Sequence, residues 1–203
     1  MMGGAVLRIL GFELKGLAGI GLWVLRRRHG VPEGATVVTY AKEQAFMLGL
    51  MTFAMAVETV IVDLLLVAFD VPAWIRYTVL AADVYGLLFS AMLAATCATR
   101  PHVVTPSELR VRYAAYFDLR VPLDRIAAVR TSRNYNEDGM VTVKDGRLTV
   151  AVASQTNMTI ELTEPIIVVR PLGARAEVTS IRLFADFPDQ ALIALGAGQS
   201  ALS

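Results

Sequence analysis

Two apolar runs, residues 46–69 and 74–98, stand back to back with only Asp70-Val71-Pro72-Ala73 between them. Each is long enough to cross a bilayer, which takes about 20 helical residues at about 1.5 Å of rise each. So short a link turns the second run back along the first, and the sequence predicts a transmembrane helical hairpin over residues 43–100. An apolar content of 55% and a mean hydropathy of +0.54 are too high for an ordinary soluble protein, and the hairpin holds the excess. The expected class is an α+β membrane protein. Residues 1–42 read as an amphipathic interfacial helix with a basic linker, and residues 101–203 as a small cytoplasmic β-domain.

The first apolar stretch is interrupted by Arg8, Glu13 and Lys15. It is followed by Arg26-Arg27-Arg28 where a signal peptide would have a small-residue cleavage site, so none is expected. On a helical wheel Val6, Leu7, Leu10, Leu14, Leu17, Ile20, Val24 and Leu25 share one broad arc, and Arg8, Lys15 and Arg26 share the other with Gly11 and Gly19. This fits a helix lying in the headgroup plane with its cations toward anionic lipid. A third membrane span and a helix docked on the C-terminal domain stay open beside it. Arg8, Lys15, Arg26, Arg27 and Arg28 form the membrane-surface basic set, read first as the flank that fixes orientation and second as a lipid sensor. Gly30-Val31-Pro32-Glu33-Gly34 is expected to end the helix. With Lys42 before the first span and Arg100 after the second, the positive-inside rule puts both termini in the cytoplasm and the turn outside. The address is the cell (inner or plasma) membrane, multi-pass.

Glu58, Asp63 and Asp83 fall inside the spans, where a charge costs ~2.5–3.5 kcal/mol on insertion scales and draws functional suspicion. Gly49, Thr52, Ala56, Thr59 and Asp63 make one stripe of the first span. Ala82, Gly86, Ser90, Ala94 and Ala98 recur on the second, with Arg76 and Asp83 in the same sector. Small residues let two backbones approach, so the stripes are expected to face each other, with Asp63 paired to Arg76 and Asp83 near the level of Thr59. Glu58 points about 140° away from Asp63. A contact with another subunit is its first reading, ahead of a protonated lipid-facing acid and a place on an ion pathway.

After Pro101 the pattern changes to strand-like alternation: Leu109, Val111 and Tyr113 against Arg110 and Arg112, then residues 140–143 and 147–150 around an Asp145-Gly146 hairpin turn. Further strands are expected at 158–162, 166–170 and 178–184, and a closing helix at 188–195. About seven short strands and one helix suit a small barrel or sandwich plugged by that helix. The runs Val104-Thr105-Pro106-Ser107-Glu108-Leu109-Arg110-Val111 and Leu119-Arg120-Val121-Pro122-Leu123-Asp124-Arg125-Ile126 resemble the opening of bacterial pleckstrin-homology-like domains. That resemblance implies a seven-stranded, helix-capped barrel used for binding or assembly, often behind membrane hairpins, and no catalytic residue. Residues 131–139 depart from the pattern and are expected to form an exposed loop.

From residue 101 onward 11 Lys/Arg balance 11 Asp/Glu, which argues against phosphoinositide binding and against nucleic acid. His29 and His102 both flank the spans, a poor basis for a triad or a two-His metal site, and Glu137-Asp138 reads as a solvated loop before a cation site. The single Cys97 permits neither an intramolecular disulfide nor a thiolate cluster. No cofactor, metal or catalytic residue is expected. The chain reads as a non-enzymatic membrane scaffold or adaptor whose partners are the bilayer and a second copy or another membrane protein. The alternative is a subunit of an oligomeric channel or transporter that uses the intramembrane carboxylates.

Overall fold

A computed structural model of the chain describes residues 2–200, without the side chains of residues 2–6, 8, 199 and 200. The reading of Arg8 therefore lies outside the described residues. Helix α1 (Met2–Val24) ends in a Schellman motif: Arg27 N–H donates to Leu22 O at 2.8 Å and Arg26 N–H to Trp23 O at 3.0 Å, with Arg26 at a left-handed φ of 53°. The helix thus stops before the Gly30 break expected for it. Its three arginines follow a C-terminus whose dipole favours cations.

Helices α2 (Lys42–Ala68) and α3 (Ala73–Thr99) have 27 residues each and are the two, among the described residues, long and apolar enough to cross a membrane. The same capping motif ends α2. Asp70, at φ 51°, donates its N–H to Val67 O, and Val71 N–H reaches Leu66 O at 3.0 Å. A short polar side chain such as Asp tolerates that conformation. Pro72 then starts α3, and the two helices pack as a hairpin.

Helix α1 runs along α3 in the same direction. Glu13 accepts a hydrogen bond from the Tyr85 hydroxyl, Gly16 lies on Met92 and Gly19 on Thr96. A Cβ at Gly16 would stand 2.7 Å from Met92 Sδ, so the close approach depends on the glycine. The helical wheel set Gly19 on the cationic side, but helix packing claims it. Leu7, Leu10, Leu14 and Leu17 remain exposed.

Strand β1 (Thr36–Val38) pairs antiparallel with β2 (His102–Val104), which pairs with β3 (Glu108–Tyr113), and β3 with β4 (Phe117–Pro122). A 3-10 turn, Leu123–Arg125, leads into β5 (Ile126–Asn134), β6 (Val141–Lys144), β7 (Arg147–Val150), β8 (Thr156–Val169) and β9 (Arg175–Leu183), in the order β5-β8-β9-β7-β6. All pairings are antiparallel except β7 with β9. Asp145 and Gly146, at φ 51° and 70°, make the expected two-residue turn between β6 and β7.

These are two open sheets, and the expected barrel does not close. After residue 101 eight strands replace the seven expected, and residues 131–134, expected in a loop, belong to β5. Met158 stands opposite Thr131 and Thr156 opposite Asn134, with a shift of register between the two pairs. The segment between α1 and α2, expected to turn straight into the membrane, first contributes β1. Val111 and Val121 of the first sheet and Leu148, Val150, Met158, Ile160, Val178 and Ile181 of the second are fully buried together. Helix α4 (Pro188–Ser200) starts on a proline, whose missing N–H costs nothing there, and lays Ala191 and Leu195 on that core.

Candidate functional site

The hairpin brings together part of its expected polar set. Arg76 Nε donates to Asp63 Oδ1 at 2.7 Å and Nη2 to Oδ2 at 2.9 Å, a bidentate pair one turn from the loop. The Thr52 and Ser90 hydroxyls meet at 2.5 Å, and Gly86 faces Met55, whose Cε a Cβ there would approach to 2.9 Å. Thr59 bonds back to Met55 O and leaves Asp83 alone. Glu58 is exposed and Asp83 half-buried, and neither has a hydrogen bond or ion pair with a described residue. Gly49, placed on the facing stripe, has open space around it.

The basic set splits. Lys15 is exposed on α1, while Arg26, Arg27 and Arg28 line a cleft of about 430 Å³ with Trp23, Val24, Ala98 and Thr99, where α1 and α3 end side by side. No acid pairs with these arginines among the described residues.

The most densely bonded polar region is one that sequence reasoning did not foresee: the junction where all three long helices meet the four-stranded sheet. Arg112, read as a solvent-side strand residue, has a side chain only 2% exposed. Its Nη1 donates to His29 O at 2.8 Å and its Nη2 to Gly30 O at 2.7 Å. It ties the end of α1 to β3 at the point where His29 N–H donates to Thr99 O of α3 at 2.8 Å. Gly30 has φ 59°, and a Cβ there would lie 2.9 Å from Arg112 Nη2, so both backbone and space call for glycine. Beside it Arg110 grips Asp118 through two bonds of 2.7 and 2.5 Å. Burial alone would raise the Asp118 carboxyl, but Arg110, with Arg112 and Arg120 behind it, holds it below the usual carboxylate range. Burial also lowers the Arg100 and Arg112 guanidiniums, which stay charged.

His102 is fully buried. Its Nδ1 accepts the Arg112 backbone N–H at 3.0 Å, which leaves Nε2–H to donate to Phe184 O at 3.2 Å. Both ring nitrogens are used by the neutral form, and burial pushes the imidazole down to about 4. The Tyr40 ring lies over His102 at 4.6 Å, and its hydroxyl accepts Ala114 N–H at 2.9 Å. Asp186 caps the start of α2 by accepting Lys42 N–H at 3.2 Å, and its own N–H donates to Thr39 O at 2.7 Å. The foot of α2 is therefore bonded to the segment that follows β9, and the end of α1 to both β3 and the foot of α3.

Glu137 turns inward: it accepts from Thr156 Oγ1 at 2.9 Å and from Arg182 Nη1 at 3.3 Å. That acid is already spoken for by an arginine. Among the described residues no three of His, Cys, Asp and Glu gather as a metal site would need. Comparison of the chain with protein-family models, with curated proteins and with solved structures finds no match.

Proposed function

We propose that this protein is a non-enzymatic integral membrane scaffold. Helices α2 and α3 form a hairpin through the cell membrane with its turn outside, and the sheets with α4 make a cytoplasmic pleckstrin-homology-like domain that binds a protein partner or a second copy. The observation that carries this reading is the contrast along α2. None of its residues is buried, yet its first turn is fastened to the sheets. An apolar helix of that length needs lipid or other helices around it, and the fastened foot holds the cytoplasmic domain against the membrane. The Asp63–Arg76 pair supports the hairpin, because charges at that depth are tolerated when paired. Orientation is tested with an impermeant maleimide on intact cells: Asp70→Cys is labelled from outside and Lys144→Cys only after permeabilisation, and the reverse pattern inverts the topology. The mass of the nanodisc-held protein tests assembly. A parent oligomer that Glu58→Leu dissolves fits the scaffold, and monomers for both remove self-assembly.

A second reading, a subunit of an oligomeric channel or transporter, is favoured by one observation: the unpartnered carboxylates of Glu58 and Asp83. Under it Glu58→Gln abolishes ion or proton flux in liposomes, and a parent without flux removes it.

A further inference from the structure

Strand β8 pairs with β5 only as far as Leu162, and β9 pairs with β7 only from Ser180 onward, so residues 166–178 run on past the other strands as a two-stranded arm whose root, through Val168 and Val178, is packed on the core. The arm closes through Gly173, at φ 99°, with Arg170 N–H on Ala174 O at 2.8 Å. Its tip is apolar. Leu172 is 69% exposed, as is Met140 by 51% in the loop before β6. These two residues line one groove of about 410 Å³ with Phe12 of α1 and Phe89 of α3. The lower rim of the domain therefore stands level with Phe89, well inside the apolar length of α3.

Lengths decide what that rim meets. The buried residues of α3 begin at Ser90, which meets Thr52 of α2. The part before them, residues 73–89, which has no fully buried residue, is about 25 Å long at about 1.5 Å per residue, whereas a hydrocarbon core is about 30 Å thick. Lipid around α3 thus reaches past Phe89 to the rim. The rim is made to receive it, with Leu172 and Met140 exposed beside Ile9 and Phe12 of α1. Arg170 and Arg175, both exposed and without an acid partner among the described residues, flank the tip where phosphates would lie.

We infer that Leu172 and Met140 are sunk into the cytoplasmic leaflet at the headgroup–acyl boundary, a second membrane attachment of the β-domain beside the hairpin. This rests on the transmembrane reading of α2 and α3. The attachment fixes the face that the domain turns to the membrane and leaves the opposite one for a partner.

The test uses the full chain in phosphatidylcholine–phosphatidylglycerol vesicles with a nitroxide on one introduced cysteine at a time: Leu172→Cys, Met140→Cys, Lys144→Cys or Leu64→Cys. Native Cys97 is 3% exposed and does not compete for the label. At Leu172 and Met140, as at Leu64 on α2, collisions with oxygen exceed those with a water-soluble nickel chelate. Lys144, about 13 Å along β6 from Met140 at about 3.3 Å per residue, gives the reverse. Chelate dominance at Leu172 and Met140 with Leu64 still in lipid overturns the inference alone, and the bilayer then thins to meet α3. Chelate dominance at Leu64 as well overturns the hairpin and the rim together.

Discussion

His102 offers a quantitative test of the junction. A free imidazole titrates near 6.5, and the buried His102 near 4, because burial disfavours its charged form and the Arg112 guanidinium repels it, against a smaller opposite pull from the Phe184 carbonyl. Above about pH 6.5 neither the folded nor the unfolded chain holds the proton, and His102 contributes no pH dependence. Between about 6.5 and about 4 only the unfolded chain holds it, so stability falls as pH falls, by about 1.4 kcal/mol per pH unit and about 3 kcal/mol over the window. Below about 4 both states are protonated and the loss stops. His102→Gln supplies an amide that accepts and donates but does not titrate. Urea unfolding in detergent, followed by the near-ultraviolet circular dichroism of Tyr40 and Tyr113 stacked at 6.1 Å, measures both proteins across the window. Carboxylates such as Asp118 titrate in both and cancel. The parent is the more stable near neutrality, and its advantage shrinks by about 3 kcal/mol toward pH 4. A gap that does not change with pH refutes the buried neutral imidazole and the hydrogen bonds assigned to it.

Other perturbations probe other parts. Asp63→Asn and Arg76→Gln each lower the stability of the hairpin in bilayers by about 2 kcal/mol, and the double variant costs clearly less than their sum; additive losses in a thermal cycle would deny the pair. Gly30→Ala loses about 2 kcal/mol by thermal unfolding, because alanine meets both the left-handed backbone and Arg112 Nη2, and an unchanged melting temperature contradicts the geometry. Ala153 and Ser154, at φ 49° and 57°, turn the chain toward β8 without a glycine. Ala153→Asn combined with Ser154→Gly is expected to raise stability by about 1 kcal/mol, and a loss would mean that those side chains serve another purpose.

The contrast between two turns explains what the sequence made legible. Asp145-Gly146 announces positive φ by residue type, while Ala153-Ser154 adopts the same conformation with residues that carry no such signal. The hairpin was legible because two apolar runs of bilayer length and one short link leave little choice, and helical period alone set Asp63 opposite Arg76. Strand β1 was not, since Thr36-Val37-Val38 is too short to show alternation and owes its pairing to a partner 66 positions away, Val103 to Val37. Arg112 misled for the same reason. Alternation puts it on the same face as Arg110, and that face is half-buried at one and closed at the other because residues 29 and 30, distant in sequence, lie across it. Its one local trace was Gly30, which composition reads as a helix breaker and the structure uses as a seat for a guanidinium.

The junction also bears on how a scaffold of this build would act. A domain on a flexible tether raises the local concentration of its partner and nothing more. Here a swing of the sheets relative to the hairpin has to break the bonds from Arg112 to His29 and Gly30, from Tyr40 to Ala114 and from Asp186 to Lys42. Hydrogen bonds to a charged group are worth about 1.5–3 kcal/mol each and neutral ones about 1, so the swing costs several times the thermal energy. In the proposed scaffold, orientation set in the membrane would thus be carried into the sheets. Assembly through α2 would then fix the angle between two domains as well as their proximity, and that angle is what a partner touching both would read.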